Sequence, residues 1–245
     1  MSRFYAPKEN VRGELIYIDG REAKHILNSM RLKINDKVVV FDGSGKEYVG
    51  FIKDAKRTSL VVKVVKERIP PKEELPDITL AQAIPKKEKM GYIIEKSTEL
   101  GIKTIMPIIS QRTIVKTDDK RRLSTKMRRW QKIAREASKQ CGRNDVPEVT
   151  EIRKFSDLAG QLSDYDITIL ACLSDETMPL KKAVRDLRRG RIIVFIGPEG
   201  DFTPEEIRSI KQNKSCKLVS LGKRVLKSDT AGLYILSCLN YEFSS

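Results

Sequence analysis

The chain has 245 residues, a formal net charge of +15 and 40% hydrophobic residues, a composition that excludes a collagen-like or wholly disordered protein. No apolar run reaches the length of about 18 residues that a membrane span requires. The first residues lack the apolar stretch of a secretory signal, so we expect a folded protein that stays in the cytoplasm. The four cysteines lie far apart and His25 is the one histidine, a pattern that disfavours both a zinc site and a disulfide framework.

The first seventy residues predict a small β-barrel or sandwich. Turn residues separate β-branched and aromatic runs, which lie at residues 14–18, 37–41, 48–52 and 60–65. A helical stretch around residues 23–32 interrupts these predicted strands. The sequence Gly-Ser-Gly-Lys at residues 43–46 lacks the spacing of a phosphate-binding loop, and its position between two strands favours a hairpin turn.

Three prolines within residues 69–76 disfavour both strand and helix, so we assign residues 1–70 to a first domain and residues 71–77 to a linker. Strands and helices then alternate. Strands are predicted at residues 78–83, 104–109, 167–172, 191–196 and 217–221. Helices are predicted at residues 86–100 and 119–140, in a stretch that ends at 189, from 204 onward and in a last stretch that ends at 243. This alternation predicts a largely parallel sheet covered on both faces, over residues 78–245.

Two glycine-containing loops follow predicted strands in this second domain. The first reads Ile-Gly-Pro-Glu-Gly-Asp at residues 196–201, and the second spans residues 221–230. Loops at the carboxyl ends of strands bind ligands in open α/β sheets, although both loops are equally compatible with tight turns. The first loop lacks the spacing of a dinucleotide-binding loop, which disfavours a nicotinamide enzyme. Directly after it, Thr203-Pro204-Glu205-Glu206 predicts a helix start with a capping box.

Most of the positive charge lies in two blocks. Residues 1–70 carry fifteen basic and nine acidic side chains, residues 116–143 carry eleven and three, and residues 144–245 carry fifteen of each. This segregation favours a polyanion-binding surface, with nucleic acid as the expected partner. The alternative for residues 116–143 is an ordinary solvated helix face. An anionic membrane is disfavoured because only Met127, Trp130 and Ile133 offer apolar surface there.

Five motifs, taken in order along the chain, resemble the RsmE family of 16S rRNA uracil-N3 methyltransferases, in the SPOUT superfamily. The resemblance runs nearly end to end. Its motifs are His25-Ile-Leu-Asn-Ser-Met-Arg31, Glu95 to Gly101 with Pro107 and Gln111-Arg112, Arg129-Trp130 to Arg143, Ile196 to Gly200, and Leu221-Gly222 with Leu226 to Ala231. Asp201 stands where the family usually has glycine, Lys227 where it has arginine and Asp229 where it has glutamate.

The resemblance implies an α/β protein with a SPOUT-type C-terminal domain that contains a deep trefoil knot, together with an N-terminal PUA-like β-barrel that helps hold RNA. It also implies a homodimer, 16S rRNA of the small ribosomal subunit as partner, and S-adenosyl-L-methionine as methyl donor. A metal ion is not implied. The cofactor-binding residues implied are Leu170, Ala171, Ile196, Gly197, Pro198, Glu199, Gly200, Leu221, Gly222 and Leu226.

Uracil N3 carries a proton, so its methylation requires an unpaired or flipped base and a deprotonated or polarised imide. We therefore expect Arg224 and Lys227 near the cofactor and the reacting base, and Glu199 or Asp229 as the group that accepts the proton. Either carboxylate equally fits a helix cap or a support for main-chain donors. The expected RNA contacts are Arg31, Arg112, Lys126, Arg128, Arg129 and Arg143.

Two alternatives to this function stay open at the level of sequence. The first is a SPOUT methyltransferase that acts on a ribose 2′-hydroxyl or on tRNA. The second is a ribosome factor that binds RNA through the basic helix without catalysis. The predicted N-terminal barrel and the segment from His25 to Arg31 favour the rRNA uracil interpretation.

Overall fold

The structure is a computed structural model, which describes residues 2–71, 75–114, 120–158, 160–185, 187 and 190–243. The chain divides into two compact units. The first unit comprises Met1–Glu73 and Ser138–Val146, and the second comprises Glu74–Ala137 and Pro147–Ser245.

The first unit contains one six-stranded sheet and a short helical segment. Its strands are β1 (Arg3–Tyr5), β2 (Val11–Arg12), β3 (Leu15–Asp19), β4 (Lys37–Phe41), β5 (Glu47–Lys56) and β6 (Ser59–Arg68), in the order β1-β4-β5-β6-β3-β2. Its helical elements are a 3-10 turn (Lys8–Asn10), α1 (Gly20–Lys24) and a π-helical turn (His25–Ser29). The four strands and the helical stretch predicted from the sequence are confirmed, while the short β1 and β2 were not predicted.

Alternation of buried and outward side chains explains the packing of this sheet. In β3, Ile16 and Ile18 are buried while the intervening Tyr17 faces outward, as expected for a half-buried strand. The predicted hairpin turn at residues 43–46 is confirmed, since β4 and β5 on either side of it pair antiparallel. The ring of His25, which is an exposed residue, packs edge-on against the ring of the buried Phe4.

The segment Ser138–Val146 completes the first unit although it is distant in sequence. Arg3 Nη2 donates a hydrogen bond to the carbonyl oxygen of Arg143 at 2.6 Å, and Arg3 Nη1 pairs with Glu47 at 3.0 Å. Lys139 Nζ lies 2.7 Å from the carboxylate of Glu22. These contacts make residues 138–146 a structural part of the first unit, which the charge pattern of the sequence had not indicated.

The second unit contains a parallel sheet and six helical elements within the described residues. Its strands are β7 (Asp77–Ala83), β8 (Thr104–Ile109), β9 (Glu148–Val149), β10 (Arg153–Lys154), β11 (Ile167–Ala171), β12 (Met178–Pro179), β13 (Arg191–Ile196) and β14 (Cys216–Ser220). Its helices are α2 (Lys89–Glu99), α3 (Lys120–Cys141), α4 (Phe155–Leu158), α5 (Leu180–Val184), α6 (Pro204–Lys211) and α7 (Ser228–Phe243), of which α3 ends within the first unit.

The strand order is β10-β8-β7-β13-β11-β14-β12, with β9 beside β8, and every pair runs parallel. The predicted parallel sheet is thus confirmed. The central strand β13 is buried at every position after Arg191, which is why its sequence reads as a continuous apolar run. The two-residue strands β9, β10 and β12 are too short to leave a sequence pattern. Helix α5 ends at Val184, well before the predicted residue 189, and residues 186, 188 and 189 lie outside the described part.

The helix start predicted at Thr203 is confirmed in detail. The side chain of Thr203 accepts a hydrogen bond from Glu206 N at 3.3 Å, and the Glu206 carboxylate accepts one from Thr203 N at 2.9 Å. This capping box fixes the direction in which the chain leaves the first glycine loop. Within the residues that the structure describes, none of the helices has the length and apolar character to span a membrane.

Candidate functional site

The carboxyl ends of three adjacent strands in the second unit border one cavity. Strand β11 lies between β13 and β14, and its last residue, Ala171, is in register with Ile196 of β13 and Val219 of β14. The loops that follow these strands surround a cavity of about 240 Å³. The two glycine loops singled out from the sequence therefore meet at the edge of the sheet where parallel α/β folds bind ligands.

Most of the residues predicted to bind the cofactor line this cavity. They are Ala171, Ile196, Gly197, Pro198, Glu199, Leu221, Gly222 and Leu226. Arg224 and Lys227, which were predicted near the reacting base, line it as well, and both are exposed.

Two of the predicted cofactor residues are not among those that line the cavity. Leu170 is completely buried in the apolar core, because neighbouring residues of a strand face opposite sides of the sheet and Ala171 is the one at the cavity. Gly200 lies against Arg112, whose Cδ would be 3.4 Å from a β-carbon built on this glycine. The assignment of Leu170 and Gly200 to the cofactor therefore stays a prediction from sequence that the lining of the cavity does not support.

Several lining residues lie within or near the predicted motifs but were not named as cofactor-binding residues. They are Cys172, Leu173, Asp201, Val219, Ser220, Val225, Ser228 and Ala231. Each one lies within four positions of a predicted lining residue in the sequence, so the whole loop rather than its glycines was the available signal. Burial raises the pKa of the Cys172 thiol to about 12, so this cysteine is a protonated, unreactive part of the wall at neutral pH.

A buried hydrogen-bond relay connects the two glycine loops. Gln82 Nε2 donates to Ser228 Oγ at 2.9 Å, and Ser228 Oγ donates to the carbonyl oxygen of Gly197 at 2.6 Å. Gln82 is completely buried at the end of β7, and Ser228 begins α7. The relay thus fixes the first glycine loop to the end of the second one. Nothing in the sequence pattern of Gln82 had indicated this role.

The two carboxylates predicted as proton acceptors both have partners. Glu199 Oε1 accepts a hydrogen bond from the main-chain nitrogen of Lys86 at 3.0 Å. Asp229 Oδ1 lies 2.9 Å from Lys89 Nζ and is not among the residues that line the cavity. Burial acts to raise the pKa of Asp229, but the hydrogen bond from Lys89, a hydrogen bond from its own main chain and the charges of Lys89 and Lys227 outweigh it, so this pKa lies below its usual value.

The segment from Lys86 to Lys89 therefore holds one acidic residue from each glycine loop. The segment lies between β7 and α2, and its last residue, Lys89, is the first residue of α2. Within it, Lys87 has a positive φ of 61°. The sequence predicted a helix from residue 86 but did not indicate that residues 86–89 bind these carboxylates. The spacing of this segment from the glycine loops, more than a hundred residues, leaves no local signal.

Basic side chains of the second unit differ in how firmly they are held. Lys126 and Arg128 of α3 are exposed, whereas Arg129 of the same helix forms an ion pair with Glu88. The guanidinium of Arg112 donates to the carbonyl oxygen of Gly200 at 2.6 Å and supports the first glycine loop. On the other face of α3, Trp130 and Ala134 are buried, so the helix is amphipathic.

The two predicted RNA contacts in the first unit also differ. Arg31 is exposed and has a positive φ of 55°. The side chain of Arg143 is only 14% exposed and forms an ion pair with Asp145 at 2.8 Å. The side chain of Arg143 is therefore held by an ion pair within its own unit, whereas the side chain of Arg31 is exposed. Residues 115–119, at the start of the basic segment, lie outside the described part.

Two protein families match separate parts of the chain. The family described as "RNA methyltransferase domain" matches residues 72–240, and that described as "RNA methyltransferase PUA domain" matches residues 18–65. The chain is 32% identical over 234 residues to ribosomal RNA small subunit methyltransferase E of Bacillus subtilis, which covers 92% of this chain and 89% of the relative. It is 30% identical to the protein of the same name from Aquifex aeolicus, over 98% of this chain and 99% of the relative.

Solved structures agree with the sequence comparisons. Ribosomal RNA small subunit methyltransferase E from Neisseria gonorrhoeae, solved with bound S-adenosyl methionine, superposes with a TM-score of 0.85 at 30% identity, over 97% of this chain and 96% of that one. A protein from Legionella pneumophila in complex with the same cofactor superposes with a TM-score of 0.87 at 30% identity, over 98% and 96%.

Proposed function

The chain belongs to the ribosomal RNA small subunit methyltransferase E family, and from this premise we propose that it transfers the methyl group of S-adenosyl-L-methionine to N3 of a uridine in 16S rRNA. The observation that carries the proposal is the cavity between the two glycine loops, since a factor that only binds RNA has no need of it. The relatives named for the small ribosomal subunit favour this substrate over tRNA.

The residues around the cavity fit S-adenosyl-L-methionine. Leu173 and Val225 line it and are 68% and 73% exposed, so apolar side chains are available to pack against the adenine ring. Gly222 has a φ of 120°, and no other atom lies within 4 Å of the place where its β-carbon would stand. Main-chain donors and acceptors of this loop are therefore accessible to a polar ribose and amino acid portion. Ala171, Ile196, Gly197, Pro198, Leu221 and Leu226 complete the proposed cofactor site.

The bound cofactor supplies a methyl group that its sulfonium already activates, so the protein has to align the acceptor and assist loss of the N3 proton. Arg224 and Lys227 line the cavity from the second loop, and we assign them to the imide oxygens, where positive charge stabilises the anion that forms. Lysine at position 227 provides a point charge rather than the planar, bidentate contact of arginine.

Glu199 is the better placed of the two carboxylates to accept the proton. It is exposed and lines the cavity, and one of its oxygens is oriented by Lys86 N. Asp229 is bound to Lys89 and has a lowered pKa, so it is a weaker base, and we assign it to positioning the start of α7.

The proposed RNA contacts follow the exposed basic side chains. Lys126 and Arg128 of α3 and Arg31 of the first unit are free to reach phosphates, and each is exposed. Three other basic residues already have partners within their own units: Arg112, Arg129 and Arg143. In this proposal they bind RNA and keep these contacts. The domain assignment from sequence is part of this proposal, with residues 1–70 as an RNA-binding barrel, residues 71–77 as linker and residues 78–245 as the methyltransferase domain, and with Ser138–Val146 transferred to the first unit. Residues 116–143 bind RNA together with the barrel in this proposal.

Finer features that the family resemblance implies also belong to the proposal. They are the closed PUA-like barrel, the deep trefoil knot, a homodimer and a cytoplasmic location. On α7, Tyr234 and Tyr241 are 44% and 83% exposed and leave an apolar face that supports a contact with a second copy. We expect light scattering to give the mass of a dimer, and Tyr234→Glu with Tyr241→Glu to shift it to a monomer. An experimental density map tests the barrel and the knot.

The experiment that tests the proposed function is transfer of a labelled methyl group to three substrates: assembled small subunits, naked 16S rRNA and tRNA. We expect incorporation into a small-subunit substrate and none into tRNA. Binding of S-adenosyl-L-methionine is measured in parallel by calorimetry, with a thermal shift as a second readout. A protein that binds the cofactor and labels only tRNA would support the first alternative, and one that binds RNA without binding the cofactor would support the second.

A further inference from the structure

Asp201 is the one residue of the first glycine loop that departs from the family pattern and also lines the cavity. Its φ of 61° lies in the left-handed region, which explains why glycine is usual at this position. Aspartate adopts this conformation more readily than most residues because its short side chain forms hydrogen bonds with nearby main chain. The substitution is therefore compatible with the loop, and it adds a formal negative charge to the wall of the cavity.

The carboxylate of Asp201 is held in place by two main-chain donors. Phe202 N donates to Oδ1 at 2.8 Å, and Leu173 N donates to Oδ2 at 2.7 Å. Leu173 lies in the loop after β11, so the carboxylate ties that loop to the first glycine loop. Hydrogen bonds of this kind to a carboxylate are stronger than neutral ones and keep it oriented. The negative charge thus has a fixed place beside the cavity.

Among the described residues, the hydrogen bonds to the Asp201 carboxylate come from main-chain nitrogens and not from a basic side chain. In the part of the chain that the structure describes, no basic side chain forms an ion pair with Asp201. Its field also reaches the wall of the cavity, since burial first and the charge of Asp201 second raise the pKa of Cys172 to about 12. A ligand in the cavity therefore experiences the charge of Asp201.

Substrate and product of methyl transfer differ by one unit of charge. S-adenosyl-L-methionine carries a positive sulfonium, whereas S-adenosylhomocysteine carries a neutral thioether and is otherwise the same molecule without the methyl group. Water screens charges poorly in a half-enclosed site, so a fixed carboxylate there favours the cation. Resting on the proposed function, we propose that Asp201 is a specificity residue that makes the pocket bind the charged methyl donor in preference to the neutral product.

The test compares the two ligands by calorimetry in the full-length protein and in two variants. Asp201→Asn keeps the size, one acceptor oxygen and the tolerance of a positive φ, but removes the charge and one of the two main-chain hydrogen bonds. We expect it to weaken binding of S-adenosyl-L-methionine about fivefold while S-adenosylhomocysteine changes less than about twofold. Sinefungin, in which a protonated amine replaces the sulfonium, should follow the methyl donor. Asp201→Gly restores the residue that the family usually has and should lose the same preference.

The ratio of the two affinities separates the charge effect from support of the loop. If both ligands weaken equally in Asp201→Asn and Asp201→Gly, the carboxylate only holds the loops together and the proposal is wrong. If neither affinity changes, it is also wrong. A wild-type protein that binds neither ligand would instead overturn the proposed function, so the two failures are distinguishable.

Discussion

The glycine-loop cavity and the basic helix α3 contribute to function in different physical ways. Part of the cavity wall is fixed by buried contacts, namely the relay from Gln82 through Ser228 to Gly197. Lys126 and Arg128 of α3 are exposed, and in the proposed function they bind RNA through their charge rather than through a unique position. We therefore expect single, small changes at the cavity to have large and specific effects, and changes on the helix to add up with the number of charges altered.

The largest effect is expected from Gly197→Ala. A β-carbon at this position would lie 3.2 Å from the main-chain Cα of Asp201, so the loop must shift. Overpacking of this kind costs about 1–3 kcal/mol, so we expect affinity for S-adenosyl-L-methionine to fall about tenfold or more in calorimetry. Gly160→Ala is the matched control, since no atom lies within 4 Å of its new β-carbon. Equal affinities of the two variants would mean that the first glycine loop does not form the binding site.

Charge reversal on α3 should weaken RNA binding and leave the cofactor site intact. For Lys126→Glu with Arg128→Glu we expect about tenfold weaker binding to small-subunit RNA and a salt dependence reduced by about two counterions. Filter binding over a salt series measures both. Lys181→Glu with Lys182→Glu on α5 changes the net charge by the same amount at exposed positions and serves as the control. If both pairs weaken RNA binding equally, only the total charge of the protein matters and α3 is an ordinary solvated helix.

Loss of the relay should reduce stability and cofactor affinity together. Ser228→Ala removes the donor to the Gly197 carbonyl and leaves buried groups without partners, which costs about 1–3 kcal/mol in the free energy of unfolding. We expect cofactor affinity to fall about fivefold as the loop loosens. Thr168→Val is a useful comparison, because its buried hydroxyl has no hydrogen-bond partner and should be dispensable for binding. Unchanged cofactor affinity in Ser228→Ala would limit the relay to a purely structural role.

The smallest effect concerns the ion pair between Lys89 and Asp229. Because the folded-state pKa of Asp229 lies below its usual value, the pair stabilises the protein above that usual value, and the contribution is lost as the pH falls through the lowered pKa. Lys89→Met removes the partner while the burial remains, so we expect the pKa of Asp229 to rise and the acid sensitivity to decrease. Chemical-shift titration of the carboxyl carbon measures this pKa. A pKa that stays low in the variant would mean that Lys89 is not its cause.

Strong local patterns predicted most of the fold. The apolar runs of β7, β8, β11, β13 and β14 and the capping box at Thr203 were all identifiable, because each depends on residues close in sequence. Two-residue strands leave no pattern, and the inclusion of Ser138–Val146 in the first unit depends on contacts such as that of Arg3 with the carbonyl of Arg143. Such pairings across more than a hundred residues are not encoded in local spacing.

The position of the cavity was also predicted from local sequence patterns. Glycine loops after strands indicated the cavity, and alternation along β11 was sufficient in principle to place Ala171 at the cavity and Leu170 in the core. The partners of Glu199 and Asp229, supplied by Lys86 and Lys89, required the folded chain. The departure at Asp201 was visible in the sequence, but its two main-chain donors were not.

The central claim is the identity of the methylated atom, and nucleoside analysis tests it most directly. Small ribosomal subunits are treated with the protein and S-adenosyl-L-methionine that carries an isotope-labelled methyl group, and the rRNA is then digested and separated by mass spectrometry. We predict that the label appears in 3-methyluridine and in no other nucleoside. Label in a 2′-O-methylated nucleoside, or in any other base, would contradict the account.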